Sequence, residues 1–352
     1  MTPGTLPPPS PARPGRPRLL LAAVAVLVCA ACGGGTSTPT SPTPRPTPTP
    51  DPTPSLSLSC PADQSATATL GATTATVAFT TPTATGGTAP ATVTCDAPAA
   101  NAFPIGTTTV TCTATDQGRQ TASCTFRVTV AAAPPQLSKS TYLAFGDSLT
   151  AGEVTVPVAT PAGVITPFPA FALRLVPSAS YPTQLAALMR AAYPQQSGLS
   201  VTNAGKSGEW AVDARVRFEP LVQSLRPEVV LLLSGYNDLA ALGAAGIGSA
   251  SAAVEAMAKE ARFRGASVFI ATLPPPRSGG GNTQPLSTIA SYNDRLKVVA
   301  AGENARVVDL YEAMLGQQDL YIGVDGLHPN EAGYRKMAEE FFKAIRAAFE
   351  VR

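Results

Sequence analysis

Ser148 and His328 are the residues whose types and placement could support nucleophilic catalysis. Ser148 comes just after the apolar run 141–145, at the predicted end of a buried strand, where open α/β sheets place their chemistry. A serine hydroxyl is a poor nucleophile until a base removes its proton, and His328 is the only histidine in the chain. Asp325 lies three residues before His328, so one tight turn could bring its carboxylate to the second imidazole nitrogen. This pattern indicates acyl-transfer chemistry.

Each of these residues also has a purely structural interpretation. A serine after a strand is a common helix cap, and a histidine near a chain end is commonly a surface or capping residue. Asp325 could serve as a turn residue, and we interpret Asp147, beside Ser148, as a side chain that stabilises the turn. The rest of the chain has to decide between the two interpretations.

Length and composition bound the classes of function. The chain has 352 residues, which is a soft indication of two domains. Its net charge is only +2 and 14% of its residues are charged, so no basic surface argues for a nucleic-acid partner. With one histidine, a histidine-rich metal site is excluded. We expect no metal and no cofactor.

The N-terminus has the pattern of an export signal. The apolar run Leu19–Ala31 follows three arginines and is too short to span a bilayer comfortably, so residues 1–32 are predicted to be a signal peptide. The sequence Ala-Ala-Cys-Gly around Cys32 resembles the lipobox of bacterial lipoproteins, although Cys29 stands where that pattern prefers Leu. The resemblance implies lipidation of Cys32 and an exported protein anchored to the cell envelope. The alternative is an ordinary secretory signal cut nearby.

A stalk and a small all-β domain follow. Residues 33–56 are rich in Pro and Thr, which favours an extended polyproline II linker. Residues 57–131 contain short alternating strand patterns, which predict a β-sandwich. Four cysteines there are typical of two disulfides in an exported domain, with three connectivities open; a zinc site is the alternative, although this group has no CxxC pair: Cys60, Cys95, Cys112 and Cys124.

The stretches 60–61, 103–116 and 122–126 resemble the HYR (hyalin repeat) domain, an immunoglobulin-like module. The resemblance implies a role in spacing or adhesion, with contact to a cell-surface glycan or protein. No catalytic constellation is visible in this part of the chain.

From residue 140 to residue 352 strands and helices alternate, which predicts a parallel sheet in a three-layer α/β/α domain. The predicted strands are 141–145, 199–203, 228–234, 267–272 and 306–309. The predicted helices are 181–193, 249–264, 286–301 and 330 to the end.

Four stretches of this domain together resemble the SGNH/GDSL hydrolase family. They are Gly-Asp-Ser-Leu at 146–149, Asn-Ala-Gly-Lys-Ser-Gly at 203–208, Gly-Tyr-Asn-Asp at 235–238 and Asp-Gly-Leu-His-Pro at 325–329. The resemblance implies a flavodoxin-like fold with five parallel strands.

The same resemblance implies a role for each site residue. Ser148 is implied to be the nucleophile, with Asp325 and His328 as its partners. The oxyanion donors are implied to be the backbone N–H groups of Ser148 and Gly208 and the side-chain amide of Asn237. Gly208 could instead be a turn glycine and Asn237 a helix cap. The choice of Gly208 over Gly205 rests on the resemblance alone.

The function implied is a serine hydrolase that cleaves carboxylic esters, either small molecules or esters of lipids or glycans, through an acyl-enzyme. Two alternatives stay open: a carbohydrate O-deacetylase or acyltransferase with the same triad, and a non-catalytic surface adhesin.

The apolar insertion 153–180 could line an acyl pocket, form a lid, or pack as an ordinary flap. A second loop, 274–281, follows the fourth strand on the same edge of the sheet.

Overall fold

The computed structural model describes residues 54–159, 163 and 170–352. The predicted signal peptide, Cys32 and nearly all of the Pro/Thr-rich linker lie outside the described residues, so those interpretations stay predictions.

The N-terminal part of the described chain is an all-β region. Four of its strands form one sheet in the order β2-β8-β7-β5, and the others form the pairs β1-β4 and β3-β6. Side chains alternate along β8, so that Phe126, Val128 and Val130 enter the core while their neighbours face outward. The strands are β1 Ser57–Leu58, β2 Gln64–Thr67, β3 Thr74–Thr76, β4 Ala84–Thr85, β5 Thr92–Cys95, β6 Ala102–Pro104, β7 Gly106–Thr115 and β8 Thr121–Ala131.

Two disulfides cross-link this region and select one of the three connectivities. Cys60 pairs with Cys124, and Cys95 pairs with Cys112. The small core contains few large side chains, so cross-links that restrict the unfolded chain supply part of the stability. Disulfides persist in oxidising compartments, which places the protein outside the cell or at its surface.

A five-stranded parallel sheet forms the centre of the second part, in the order β13-β10-β14-β15-β16. Counted from the first strand of this sheet the order is 2-1-3-4-5, which is the flavodoxin-like arrangement. All five predicted strands are present, within one or two residues of their predicted ends. The strands of this part are β9 Gln136–Leu137, β10 Thr141–Gly146, β11 Glu153–Pro157, β12 Phe171–Leu175, β13 Ser200–Gly205, β14 Val229–Leu233, β15 Ser267–Ala271, β16 Arg306–Val308 and β17 Glu350–Val351.

Helices cover both faces of the sheet and complete the three layers. Helices α2 and α9 pack together on one side, and α3, α5 and α6 pack in a row on the other. The sheet between them is apolar throughout; all five residues of β14 are buried. The helices are α1 Ser148–Ala151, α2 Tyr181–Ala192, α3 Ala211–Leu225, α4 Tyr236–Leu242, α5 Ile247–Phe263, α6 Leu286–Gly302, α7 Leu310–Met314, α8 Gln318–Tyr321 and α9 Glu331–Phe349.

Helix α3 is the one long helix that the sequence pattern did not single out. Arg215, Arg217 and Glu219 alternate with apolar residues, which mimics a strand, and Pro220 lies inside the helix. The buried side chains are nevertheless spaced for a helix: Ala211, Ala214, Phe218 and Val222.

The last helix was predicted to reach the end of the chain, and this is wrong by a few residues. Helix α9 ends at Phe349, and β17 then pairs antiparallel with β9. Residues 136–137, in the segment between the two predicted domains, therefore pair with the end of the chain.

Replacement of Phe341 by Ala should strongly destabilise this part of the chain. Phe341 is fully buried on α9 and stacks on Tyr181 at 4.6 Å. Removal of a buried ring should lower the free energy of unfolding by about 3–5 kcal/mol. Phe263→Ala is the matched control, because that ring is 85% exposed and its loss should cost under about 0.5 kcal/mol. Urea unfolding followed by fluorescence of Trp210, the single tryptophan, measures both.

Candidate active site

The register of the parallel sheet brings three of the four sequence blocks to one edge. Gly146, the last residue of β10, is level with Gly205 at the end of β13 and with Leu233 at the end of β14. The N–H of Lys206 donates to the carbonyl of Gly146, which ties the first two blocks together directly. The chain segments after these three strands therefore meet at the carboxyl edge, the usual site of chemistry in this type of sheet.

The fourth block completes a continuous chain of hydrogen bonds. His328 Nε2 lies 2.9 Å from Ser148 Oγ, and His328 Nδ1 lies 2.6 Å from Asp325 Oδ2. All three side chains are buried, at 5%, 4% and 0% exposure for Ser148, His328 and Asp325. This geometry lets an imidazole accept the serine proton while a carboxylate holds the ring in the required orientation.

The turn that carries Asp325 and His328 is held by the aspartate itself. Asp325 Oδ1 accepts hydrogen bonds from the backbone N–H groups of Leu327 and His328, at 3.2 and 3.1 Å. Burial alone would raise the pKa of the Asp325 carboxyl, but the hydrogen bond and charge of His328, with further hydrogen bonds, hold it below its usual range. The carboxylate therefore stays ionised opposite the imidazole.

Asn282 is a site residue that the sequence analysis missed. Its side-chain amide donates to Asp325 Oδ2 at 3.1 Å, the same oxygen that faces His328, and its backbone N–H donates to the Asp325 carbonyl at 2.8 Å. Asn282 lies just beyond the loop 274–281, which the sequence placed only at the edge of the site. The sequence offered only a weak indication that Asn282 belongs to the site, since Asn in a Gly-rich loop usually indicates a turn.

Asp147 has the turn-stabilising role expected from the sequence. It caps α1, and its Oδ1 accepts from the N–H of Leu149 at 3.0 Å. Burial, with a smaller contribution from the charge of Asp238, raises the pKa of Asp147 to about 7, despite the lowering effects of the Leu149 N–H and His328. Its second oxygen is buried without a hydrogen-bond partner among the described residues.

The candidate oxyanion donors belong to the segments that follow β10, β13 and β14 at the carboxyl edge of the sheet. Within the described part of the chain, the N–H groups of Ser148 and Gly208 donate to no protein acceptor. Gly208 has φ +70°, a left-handed conformation that favours glycine. Asn237 donates one amide hydrogen to the carbonyl of Glu209 at 3.1 Å, which places its side chain beside the Gly208 loop and leaves the second hydrogen without a partner among the described residues.

An ion pair with a buried carboxylate holds that loop in place. Arg217 from α3 makes a bidentate contact with Glu209, whose side chain is 5% exposed, and also donates to the carbonyl of Ala204 at 3.0 Å. Burial would raise the pKa of Glu209, but the Arg217 guanidinium outweighs it and lowers that pKa. The helix that the sequence pattern did not reveal thus anchors the loop that carries Gly208.

The insertion 153–180 begins as a β-hairpin in the described residues. β11 pairs antiparallel with β12 from Glu153 opposite Leu175 to Pro157 opposite Phe171. Leu173 and Leu175 are about half exposed. At its base Glu153 Oε2 lies 3.4 Å from His328 Nε2, a contact that the sequence analysis did not anticipate.

Comparison with known proteins identifies the family. The GDSL-like Lipase/Acylhydrolase family matches residues 144–336, more than half of the chain, and the chain belongs to this family. The HYR domain matches residues 50–130.

Individual relatives are more distant. A multidomain esterase from Ruminococcus flavefaciens is 26% identical over 157 residues, which is 42% of this chain and 20% of that protein. This chain thus aligns with about a fifth of that relative's length.

Two solved structures are similar to this chain. The lipase/acylhydrolase from Enterococcus faecalis is 23% identical, with a TM-score of 0.47 over 60% of this chain and 97% of that one. An acetylxylan esterase from Geobacillus stearothermophilus is 23% identical, with a TM-score of 0.44 over 59% of this chain and 94% of that one.

Replacement of Asn282 by Ala should lower the turnover of any substrate that depends on His328. Loss of a hydrogen bond to the Asp325 carboxylate, about 1.5–3 kcal/mol for a charged acceptor, predicts a fall in kcat of about 10- to 100-fold with little change in KM. Thr283→Val is the matched control: it removes the hydrogen bond from Thr283 to the Arg277 carbonyl in the same loop. Equal losses in both variants would mean that Asn282 acts only through the fold of the loop.

Replacement of Asp147 by Asn should remove one component of the pH dependence of stability. The native pKa of about 7 lies above the ordinary value of 3.8, so the folded chain binds more protons than the unfolded chain between these values. The contribution of Asp147 is therefore intact below about pH 4 and is lost as the pH rises through about 7, a change of about 4 kcal/mol relative to a side chain that does not titrate.

Unfolding free energies at several pH values compare the wild type with Asp147→Asn, which keeps the capping oxygen. Exposed Asp213→Asn controls for the loss of a charge. A difference between wild type and Asp147→Asn that is constant with pH would contradict the prediction.

Proposed function

We propose that the chain is a serine hydrolase that cleaves carboxylic esters through an acyl-enzyme. The observation that carries the proposal is the buried hydrogen-bond chain from Ser148 Oγ through His328 to Asp325. Membership in the GDSL-like lipase/acylhydrolase family supports the same chemistry.

In the first half of the proposed reaction, Ser148 Oγ attacks the ester carbonyl while His328 Nε2 takes the serine proton. The carbonyl oxygen becomes an oxyanion that accepts hydrogen bonds from the N–H groups of Ser148 and Gly208 and from the Asn237 amide. The tetrahedral intermediate then collapses: the bond to the alcohol oxygen breaks, and His328 gives its proton to that oxygen. The alcohol leaves, and the acyl group stays on Ser148.

The second half repeats the same steps with water. His328 removes a proton from a water molecule, and the hydroxide attacks the acyl carbonyl. The bond to Ser148 breaks, Oγ takes the proton back from His328, and the acid is released. Asp325 stabilises the imidazolium in both halves and does not itself become protonated.

The setting of the enzyme is part of the proposal. We place the signal peptide at residues 1–32, the linker at 33–56, the HYR-like domain at 57–131 and the hydrolase domain at 140–352. Lipidation of Cys32 would anchor the chain to the cell envelope, and the linker, at about 3.1 Å per residue in polyproline II, would hold the catalytic domain tens of Å from the membrane.

Replacement of Ser148 by Ala should abolish ester hydrolysis. Without the nucleophile, kcat on 4-nitrophenyl acetate should fall by at least about 10⁴-fold, while the unfolding curve stays close to that of the wild type. A fluorophosphonate probe should label the wild type and leave the variant unlabelled. Ser224→Ala, an exposed serine on α3, is the control and should behave like the wild type.

Ester hydrolysis by Ser148→Ala at the wild-type rate would contradict the proposal. A panel of nitrophenyl esters from acetate to longer chains, run beside acetylated oligosaccharides, measures the acyl and alcohol preferences. A clear preference for acetyl groups on sugars would favour the O-deacetylase alternative.

A further inference from the structure

Glu153 lies beside the reacting end of the histidine. Its Oε2 is 3.4 Å from His328 Nε2, the same nitrogen that is 2.9 Å from Ser148 Oγ. His328 is therefore flanked by two carboxylates, with Asp325 at Nδ1 and Glu153 at Nε2. The mechanism above uses the first of these and leaves the second without a role.

The position of Glu153 is held from several sides. The buried hydroxyl of Tyr334 on α9 donates to the Glu153 carbonyl at 2.6 Å, and β11 pairs Glu153 with Leu175. The preceding Gly152 has φ +99°, and a Cβ there would lie 2.6 Å from the Ser180 Cβ, so the chain must enter β11 through a glycine. Glu153 thus stands at the anchored base of the hairpin.

Among the described residues, the Glu153 carboxylate has no lysine or arginine partner, and no Lys or Arg occurs among residues 160–169. The other ionisable groups that face His328 are Asp325 and Asp147, which are also acidic. The side chain is 17% exposed, so a bound molecule can reach it.

The transfer of the proton from His328 to the leaving alcohol indicates which part of a substrate would lie beside Glu153. His328 Nε2 passes its proton to the oxygen of the leaving alcohol, so groups beside Nε2 border the alcohol part of the ester rather than the acyl part. We propose that Glu153 is a specificity-determining residue, which selects esters whose alcohol part carries a positive charge and disfavours those whose alcohol part is negative. This inference rests on the proposed function.

Coulomb attraction gives the scale of the effect. Opposite unit charges about 4 Å apart near a protein surface attract strongly enough to give a preference of about tenfold or more. Because the site is partly open to solvent, the preference should shrink as salt is added.

Three acetate esters of similar size test the proposal: acetylcholine, its neutral isostere 3,3-dimethylbutyl acetate, and 4-acetoxybutanoate. Hydrolysis is followed by pH-stat titration. In the wild type, kcat/KM should fall by about tenfold from the cationic to the neutral ester, and by about tenfold again from the neutral to the anionic ester. Most of each fall should come from a higher KM. In Glu153→Gln, the three values should lie within about threefold of one another. The ratio of two substrates on one protein is independent of the active fraction, so partial misfolding cannot imitate the result.

Two further variants sharpen the test. Glu153→Asp keeps the charge on a shorter side chain and should restore part of the preference. Glu255→Gln removes one negative charge from α5 and should keep the wild-type ratios, which separates the local effect from net charge. A wild type that cleaves the esters without charge preference, or a Glu153→Gln variant that keeps it, overturns the role of Glu153. A wild type that cleaves no ester in this set or among the nitrophenyl esters overturns the proposed function itself.

Discussion

The hydrogen bond between His328 and Asp325 is the contact on which the rest of the site depends. Both residues belong to one turn between α8 and α9, and that turn is far in the chain from the nucleophile. The turn is rigid because one oxygen of Asp325 binds two of its own backbone N–H groups, while the other oxygen is shared by His328 and Asn282. These hydrogen bonds position the imidazole beside Ser148 before any substrate binds, which lowers the entropic cost of reaching a reactive geometry.

The parallel sheet supplies the other half of this arrangement. Because Gly146, Gly205 and Leu233 lie in one row, three separate strands end at the same edge, and the polar segments that follow them start there. The apolar layers on both sides of the sheet stabilise this edge, so strain and unpaired polar groups are tolerated there. Asp147 and Asp238 illustrate this, since each keeps one buried oxygen without a partner among the described residues.

Charge around the nucleophile is distributed unevenly. On the Gly208 side, the buried carboxylate of Glu209 pairs with two cations, Arg217 and Lys206. On the histidine side, Glu153 and Asp325 face one imidazole. In the proposed reaction, this asymmetry separates the two ends of the ester: the oxyanion would develop next to neutral N–H donors, and the alcohol would leave past a carboxylate.

The sequence by itself determined the class of fold, all five strands of the parallel sheet and the cysteines that pair, because these depend on hydrophobic period and on cysteines in an exported domain. It also singled out Ser148, Asp325 and His328 as the candidate triad, through rare residue types in the order of a known family. Because the chain has one histidine, three residues after an aspartate, only one His–Asp pair was available as the candidate base and its carboxylate. Only the tertiary structure decided which cysteines join, that α3 is a helix despite its alternating charges, and that Asn282 and Glu153 reach the histidine. The reason is physical. Glu153 and His328 are 175 positions apart, so strand register and loop packing decide whether they meet. A single Glu or Asn has no local sequence pattern that predicts its distant partner.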